Sequence, residues 1–570
     1  MVGLPRRICP ISGLMGNRGQ AFVGGPLTIF PSHMTVEVVA VPRTPIGHMT
    51  TFLINKKICA VSLRDAGLAA VSGVLLSASF PKVDCPFLAW VAFLPLFHAI
   101  EGKSPQVSFK IGFLAGLVHY ATLLYWIAGV METYGQLPIV VSWSILFLLV
   151  IYLSLYPAAF ALLITHLRTR SAVYLWSAPF LWVALEYVRA FLLSGFPWEN
   201  LGYSQYSQLH LIQISDILGV YGLSALVVAV NAALFELLGA MRQRNASSWK
   251  PILAVALAVA GFLSYGTWRI SKTERIANAA PKRTVALVQG NIDQTKKWLP
   301  SFQGETVQRY GRLSLALSQS RPDLIVWPET ALPFYFLHDE ALTRQVVELV
   351  RACGVHFLVG SPSFRTCGQE MHWYNSAYLL NPAGEVLGKY NKVHLVPYGE
   401  YIPLKRFFPF LGKLVKAVGD FTPGNKGHIL SLEDEKLGIL ICFEVIFPEL
   451  GRAMCQKGAQ LLVSITNDAW FGTSSAPYQH LSMAVFRAVE NHTALARAAN
   501  TGISAFVDPV GRISDSTPLF EEAVRVRPLP MMGQKTFYTR FGDLFATVCV
   551  MASLIMCLWP FRCALFGNRS

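Results

Sequence analysis

Charged side chains are scarce in this chain: Asp, Glu, Lys and Arg make up 14% of its 570 residues, against about 25% in an ordinary soluble protein. With 53% hydrophobic residues and a mean hydropathy of +0.43, that deficit excludes an ordinary soluble enzyme and points to a membrane protein. Acidic residues are the scarcer sign, 33 against 48 Lys and Arg, which leaves a formal net charge of +15. Such a surplus suits either nucleic acid or the flanks of membrane segments, so its location has to decide. The ten cysteines contain no CxxC pair and no zinc-ligand spacing, so neither a structural metal nor a dense disulfide framework is indicated. Cys353 and Cys367 are candidates for one disulfide in an oxidising compartment, with a geometry that sequence alone does not set. Walker A, GxSxG, HExxH and a Gly-rich dinucleotide loop after a strand are missing as well. No cofactor is implied.

What the chain has instead is long apolar runs. Residues 1–58 are basic, punctuated by Gly and Pro, and read as a poorly ordered extension; Met34 and Met49 inside it leave the start codon open, and the layout is not that of a cleaved signal peptide. Seven apolar segments follow near 59–80, 86–100, 108–131, 138–166, 172–195, 218–241 and 251–268, together a transmembrane bundle over 59–270. An eighth, "FATVCVMASLIMCLWPF", falls within 540–562. Most approach the ~20 residues that a membrane-crossing helix needs. Loops carrying Lys103 and Lys110, Arg168 and Arg170, and Arg242, Arg244 and Lys250 fall on one side, with the tail of Arg562 and Arg569, whereas "METYGQL" on the other is free of Lys and Arg. That is the positive-inside pattern, with both termini cytoplasmic. The surplus charge is therefore one of membrane orientation, not of nucleic-acid binding.

Between the last two apolar segments, residues 280–530 alternate short β-rich runs ("TVALVQG", "DLIVWPE", "HFLVGS", "WYNSAYLLN", "LGILICFE", "QLLVSITND", "ISAFVDP") with helical-looking runs near 302–319, 339–353, 448–457 and 479–498. This predicts an α/β layered domain outside the cytoplasm, with chemistry at the strand ends. Three strand ends carry a reactive side chain: Glu329 in "LIVWPET", Lys392 in "KYNKVHLVPYGEYIP" and Cys442 in "LGILICFE". A thiol acts as a nucleophile only as thiolate, so it needs a base and a nearby positive charge. Glu329 fits the base and Lys392 fits a donor to the thiolate and to the oxyanion of a tetrahedral intermediate. Singly, each also reads as an ordinary packing or surface residue.

The ordered set "WPE", "YNKVHLVPYGEYIP", "CFE" and "TNDAWFG" resembles the nitrilase, or carbon–nitrogen hydrolase, superfamily, with its Glu–Lys–Cys triad in a four-layer αββα fold. More narrowly it resembles the apolipoprotein N-acyltransferase family of bacterial membrane enzymes, in which about eight membrane helices carry one nitrilase-like domain inserted before the last; "GFPWENLGYSQ" is similar to that family as well. The resemblance implies Glu329 as general base, Lys392 as oxyanion stabiliser and Cys442 as nucleophile. It further implies Glu400 and Glu444 as supporting carboxylates and Trp298 on a loop near the site. Asn375 and Asn467 are candidates for site-shaping hydrogen bonds or ordinary turn residues. Phe443 stands where the family often has Tyr, so a role for that phenol is lost.

It also implies an inner-membrane protein with a periplasmic catalytic domain. Its acyl donor would be a membrane phospholipid and its acceptor the diacylglyceryl-cysteine of an apolipoprotein, with transfer through a thioester. No metal or cofactor is implied, and oligomeric state is left open. A membrane-tethered amidase, and a transporter with a degenerate binding domain, are the alternatives. Two apolar stretches, 332–337 and 403–419, are expected either to dip into the membrane interface as lids or to pack on the domain. Glu186 and Arg189, three apart, are expected either to pair with each other or to meet lipid headgroups; Glu236 is a further ionisable group in a span.

Overall fold

The computed structural model describes residues 61–168, 174–243, 249–317, 320–401 and 420–566. The expected extension over 1–58 and the stretch 403–419 lie outside them. The apolar runs fold as helices, including Leu63–Ala78, Pro105–Leu123, Trp126–Thr133, Ile139–Arg168, Ala178–Arg189, Trp249–Ala279 and, near the C-terminus, Leu544–Phe566. Side-chain caps set two of the starts: Ser62 accepts from Asp65 N, and Ser104 from Val107 N just ahead of Pro105. Gly112 lets Pro105–Leu123 lie directly against Ile139–Arg168, since a Cβ there would overlap the Pro157 carbonyl.

Eight crossings are expected from the sequence. By length and apolarity, three helices among the described residues qualify, Ile139–Arg168, Val220–Met241 and Trp249–Ala279, and the pair Pro105–Leu123 and Trp126–Thr133, bent by 49°, makes a fourth if counted as one span. Three of the other apolar segments are short or interrupted. Leu63–Ala78 has 16 residues, about 24 Å of helix against a hydrocarbon core of about 30 Å. Residues 86–100 divide into a 3-10 turn, Pro86–Trp90, and Leu94–Ile100, each with a proline in its first turn. Residues 172–195 likewise divide at Ser177, ahead of Ala178–Arg189.

The alternating region resolves into two six-stranded sheets. The first is formed by β1 Lys282–Gln289, β2 Leu324–Val326, β3 His356–Cys367, β4 Glu370–Leu380, β5 Val386–Asn391 and β12 Ala523–Pro530, in the order β12-β1-β2-β3-β4-β5. The second holds β6 Ile429–Leu432, β7 Glu435–Ile441, β8 Leu461–Thr466, β9 Ala494–Ala499, β10 Ala505–Val507 and β11 Ile513–Ser514, in the order β11-β10-β9-β8-β7-β6. The centre of each is parallel, β1-β2-β3 and β7-β8-β9.

Strand alternation divides the core. Val285 and Leu287 of β1 join Leu437, Ile439, Leu461 and Val463 of the other sheet, whereas Ala286 and Val288 pack on Val307 and Tyr310 of helix Pro300–Leu315 and on Val346 and Val350 of helix Glu340–Cys353. Helices Pro448–Gln456 and Ala476–Asn491 pack with the second sheet. The layers therefore run helix, sheet, sheet, helix.

Three local expectations are decided. Residues 479–498 do not form one helix: Ala476–Asn491 stops at His492, whose left-handed backbone (φ 48°) ends it, and "ALARAA" becomes the wholly buried β9. Of the two readings of 332–337, packing on the domain holds and the membrane-dipping lid does not: Leu332, Phe334 and Phe336 lie in the core, Tyr335 is half-buried and Leu337 is exposed. Cys353 is a free thiol.

Glu186 and Arg189 are both buried and neither spends its hydrogen bonds on the other. Glu186 accepts from Trp182 Nε1 (2.9 Å) and Leu201 N (2.7 Å), and Arg189 donates to Tyr120 (3.0 Å) and Asn200 Oδ1 (2.6 Å). They brace the 195–205 motif, and the motif in turn grips the α/β layers. Trp198 Nε1 donates to Gln479 (2.9 Å), Glu199 accepts from Ser482 (3.1 Å), and the Tyr203 hydroxyl accepts from Arg487 (3.0 Å). Glu236 sits half-buried on the apolar helix that begins at Val220.

Candidate active site

Glu329, Lys392 and Cys442 arrive from three different strands. Glu329 lies three residues past β2, Lys392 directly follows β5, and Cys442 directly follows β7. Two of the turns are tight. Cys442 and Thr330 both have positive φ, 53° and 47°, a conformation that costs a non-glycine residue about 1–3 kcal/mol and persists only where its surroundings hold it. Gly360 on β3 makes room for the Glu329 turn, because a Cβ there would overlap the Pro328 carbonyl.

Asn375 on β4 ties the acidic groups together, its Nδ2 donating to Glu329 Oε1 (2.8 Å) and to Glu400 Oε1 (2.9 Å). The Lys392 ammonium lies 3.0 Å from Glu400 and 3.5 Å from Glu329 Oε1, with the lysine side chain 1% exposed. Burial opposes that charge, but Glu400 and then Glu329 outweigh it, so Lys392 titrates above its ordinary range and stays an ammonium. Glu329 Oε2 and Asn375 Oδ1 are buried and have no hydrogen-bond partner among the described residues. Cys442 is buried, 7% exposed. Burial pushes its pKa up, the Glu329 charge adds to the rise, and Lys392 offsets part of it, so the resting sulfur is a neutral thiol close to a carboxylate and an ammonium.

Glu444 does not join this group. Its carboxylate accepts from Ile441 N (2.7 Å) beside the thiol, from Val393 N (2.6 Å) and His394 N (3.2 Å) beside Lys392, and from the Tyr390 hydroxyl (3.0 Å). It buckles the two loops together. Burial pushes Glu444 up to about 7, and the backbone N–H groups of Ile441 and Val393 hold it from rising further.

Phe443 is half-buried, its ring 5.9 Å from His394 and 5.2 Å from Phe447, a packing role that needs no hydroxyl. Asn467 works at one remove: its Nδ2 donates to Gln294 (2.6 Å) and its Oδ1 accepts from Asn500 (2.9 Å), which shapes the 290–298 loop. Trp298 is half-buried on that loop.

The residue beside it, Lys297, is one that sequence reasoning passes over. Its side chain is fully buried, and Nζ donates to Thr330 Oγ1 (2.7 Å) and to the Glu329 carbonyl (3.3 Å). Nothing in "QTKKW" separates a buried lysine from a solvated one. Burial brings Lys297 down to about 7, against an opposing pull from Glu329. Between about 7 and the unfolded value of 10.5, the unfolded chain holds a proton that the folded chain lacks. The stability this group contributes is thus fullest above that window and declines as pH falls to about 7. Lys297→Met is expected to shrink the rise in thermal midpoint between pH 7 and pH 9 relative to wild type; an unchanged difference in a melting experiment would contradict the assignment.

The family model "Apolipoprotein N-acyltransferase N-terminal domain" matches residues 72–233, and "Carbon-nitrogen hydrolase" matches residues 284–534. An apolipoprotein N-acyltransferase of Geobacter metallireducens is 48% identical over 507 residues, covering 88% of this chain and 96% of that protein. One of Chlorobaculum tepidum is 31% identical over 523 residues, covering 86% and 95%. Among solved structures, Saccharomyces cerevisiae Nit3, a member of branch 10 of the nitrilase superfamily, aligns at 22% identity and a TM-score of 0.35, covering 44% of this chain and 90% of that one. The sequence identity spans the helical region and the α/β layers together, and the chain belongs to the apolipoprotein N-acyltransferase family.

Proposed function

We propose that this protein moves an acyl chain from a membrane phospholipid to the α-amino group of the N-terminal diacylglyceryl-cysteine of apolipoproteins, by way of a thioester on Cys442. The observation that carries the chemistry is Glu329 Oε2, buried and without a hydrogen-bond partner among the described residues, while Oε1 of the same carboxylate is engaged by Asn375 and Lys392. A carboxylate oxygen left free next to a neutral thiol is placed to take its proton. In the first half-reaction Glu329 accepts that proton as Sγ attacks the ester carbonyl, and Lys392 faces the oxyanion that forms. The C–O bond to glycerol then breaks, and the proton passes from Glu329 to the departing lysophospholipid alkoxide. In the second, the acceptor amine attacks the thioester and gives a proton to Glu329. The C–N bond forms, the C–S bond breaks, and the proton returns to the thiolate. Glu400 holds Lys392 in place, while Glu444, Asn375 and Asn467 hold the loops.

In this reading about eight crossings place residues 280–530 on the periplasmic side of the inner membrane, with both termini in the cytoplasm. The basic loops at Lys103, Lys110, Arg168 and Lys250 support that orientation. Both substrates are lipids, and their acyl chains favour the bilayer by ~0.8 kcal/mol per buried CH₂. A catalytic domain joined to membrane helices therefore reaches them without extracting them.

The test is intact-protein mass spectrometry after incubation with a defined phospholipid. Expected is an adduct of one acyl chain that neutral hydroxylamine releases, that a diacylglyceryl-cysteine peptide discharges, and that Cys442→Ala lacks. An adduct discharged to water but never to the peptide would make the protein a hydrolase, and no adduct on folded wild type would sink the acyl-enzyme.

A further inference from the structure

The backbone carbonyl of Cys442 faces a histidine that the chemistry above does not use. His480 Nε2, from helix Ala476–Asn491, lies 3.2 Å from Cys442 O. The other ring nitrogen, Nδ1, lies 2.9 Å from Arg497 Nη2 and 3.0 Å from Asp468 Oδ1, and Arg497 and Asp468 pair at 2.6 Å. All three side chains are at most 1% exposed. Aromatic rings hold the remaining faces. Trp198 stacks on the imidazole at 5.8 Å and 20°, and Phe471 meets it edge-on at 5.8 Å.

This network selects a tautomer. The Cys442 carbonyl can only accept, so the Nε2 that faces it carries the ring proton and donates; a neutral ring then accepts at Nδ1 from Arg497, which can only donate. Burial and then Arg497 push the imidazole below its ordinary range against the pull of Asp468, which keeps the ring neutral. Sequestering Asp, Arg and His together is costly unless each is held by hydrogen bonds. Here the terminus of that arrangement is the nucleophile's own peptide group, at a residue whose φ of 53° needs external support.

We propose that His480 is a positioning residue for the nucleophile: its Nε2–H holds the Cys442 carbonyl, fixing the left-handed turn that aims Sγ between Glu329 and Lys392. Trp198 makes that hold depend on the seating of the helical region. Its indole stacks on His480 while its Nε1 donates to Gln479, whose Nε2 donates to the carbonyl of Pro81. The consequence for acyl transfer rests on the proposed function; the hold on Cys442 does not.

The test compares His480→Gln, whose amide nitrogen takes the place of Nε2, with His480→Asn, whose amide nitrogen takes the place of Nδ1. Two rates are read on full-length protein in detergent: alkylation of Cys442 by iodoacetamide, followed by peptide mass spectrometry, and single-turnover acylation by phospholipid. Displacing a reacting atom by about 1 Å costs roughly 10²-fold. His480→Asn is therefore expected to slow both rates on that order with the phospholipid KM unchanged, and His480→Gln to recover most of the loss. Equal rates in the two variants, whether both normal or both slow with intact melting, would overturn the proposal. Should both variants fail to fold, Trp198→Leu decides, with slowed Cys442 alkylation expected and wild-type alkylation overturning it. Altered alkylation in a protein that never forms an acyl adduct would keep the positioning role and reject the transferase reading alone.

Discussion

Glu329→Gln is expected to slow acyl-enzyme formation by roughly 10²–10⁴-fold, the range over which a general base contributes, with the fold in place. The carboxylate has two differently employed oxygens. Oε1 accepts from Asn375 Nδ2 at 2.8 Å and faces Lys392 at 3.5 Å, while Oε2 has no partner among the described residues. Glutamine satisfies the first duty with its carbonyl oxygen and then presents an NH₂ group where the base stood. That group donates and cannot accept the thiol proton. The sulfur cannot compensate, since burial already raises its pKa and favours the protonated form. Rapid-quench sampling of the thioester adduct measures the effect, with thermal melting as the control for folding. A variant that acylates at the wild-type rate would remove Glu329 from the mechanism.

The second large effect is on the loop buckle. Glu444→Ala is expected to destabilise the protein by about 3–5 kcal/mol, because several buried donors are left without an acceptor, and to abolish acylation with it. Three backbone N–H groups, of Ile441, Val393 and His394, together with the Tyr390 hydroxyl, lose their acceptor in a site where Glu444 is fully buried. Each such unsatisfied donor costs about 1–3 kcal/mol. Because those donors belong to the loops of both Cys442 and Lys392, the thiol and the ammonium lose their mutual register. Glu444→Gln keeps a single accepting oxygen and should fall between the variant and wild type. Denaturant melts and acylation rates of the three proteins order the series; a Glu444→Ala protein as stable and active as wild type would show the buckle to be idle.

What the sequence by itself determined is the kind of element and the candidates at its ends. Short apolar runs closed by a polar residue, as at "LIVWPE" and "LGILICFE", read as buried strands that deliver Glu329 and Cys442 to strand ends, and scarce charge with long apolar runs reads as membrane helices. Both signals are local, carried by neighbouring side chains and their period. The tertiary structure decided whatever depends on residues far apart in the chain. "ALARAA" has the composition of a helix, yet it lies between β8 and β10 with every residue buried, and sheet pairing outweighs its intrinsic preference. Glu444 reads as part of the catalytic element and becomes a brace because its oxygens meet amides some 50 residues earlier in the chain. Lys297 and His480 carry no sequence signal at all, since what distinguishes them is burial against Glu329 and Cys442, and burial is a property of the assembled layers.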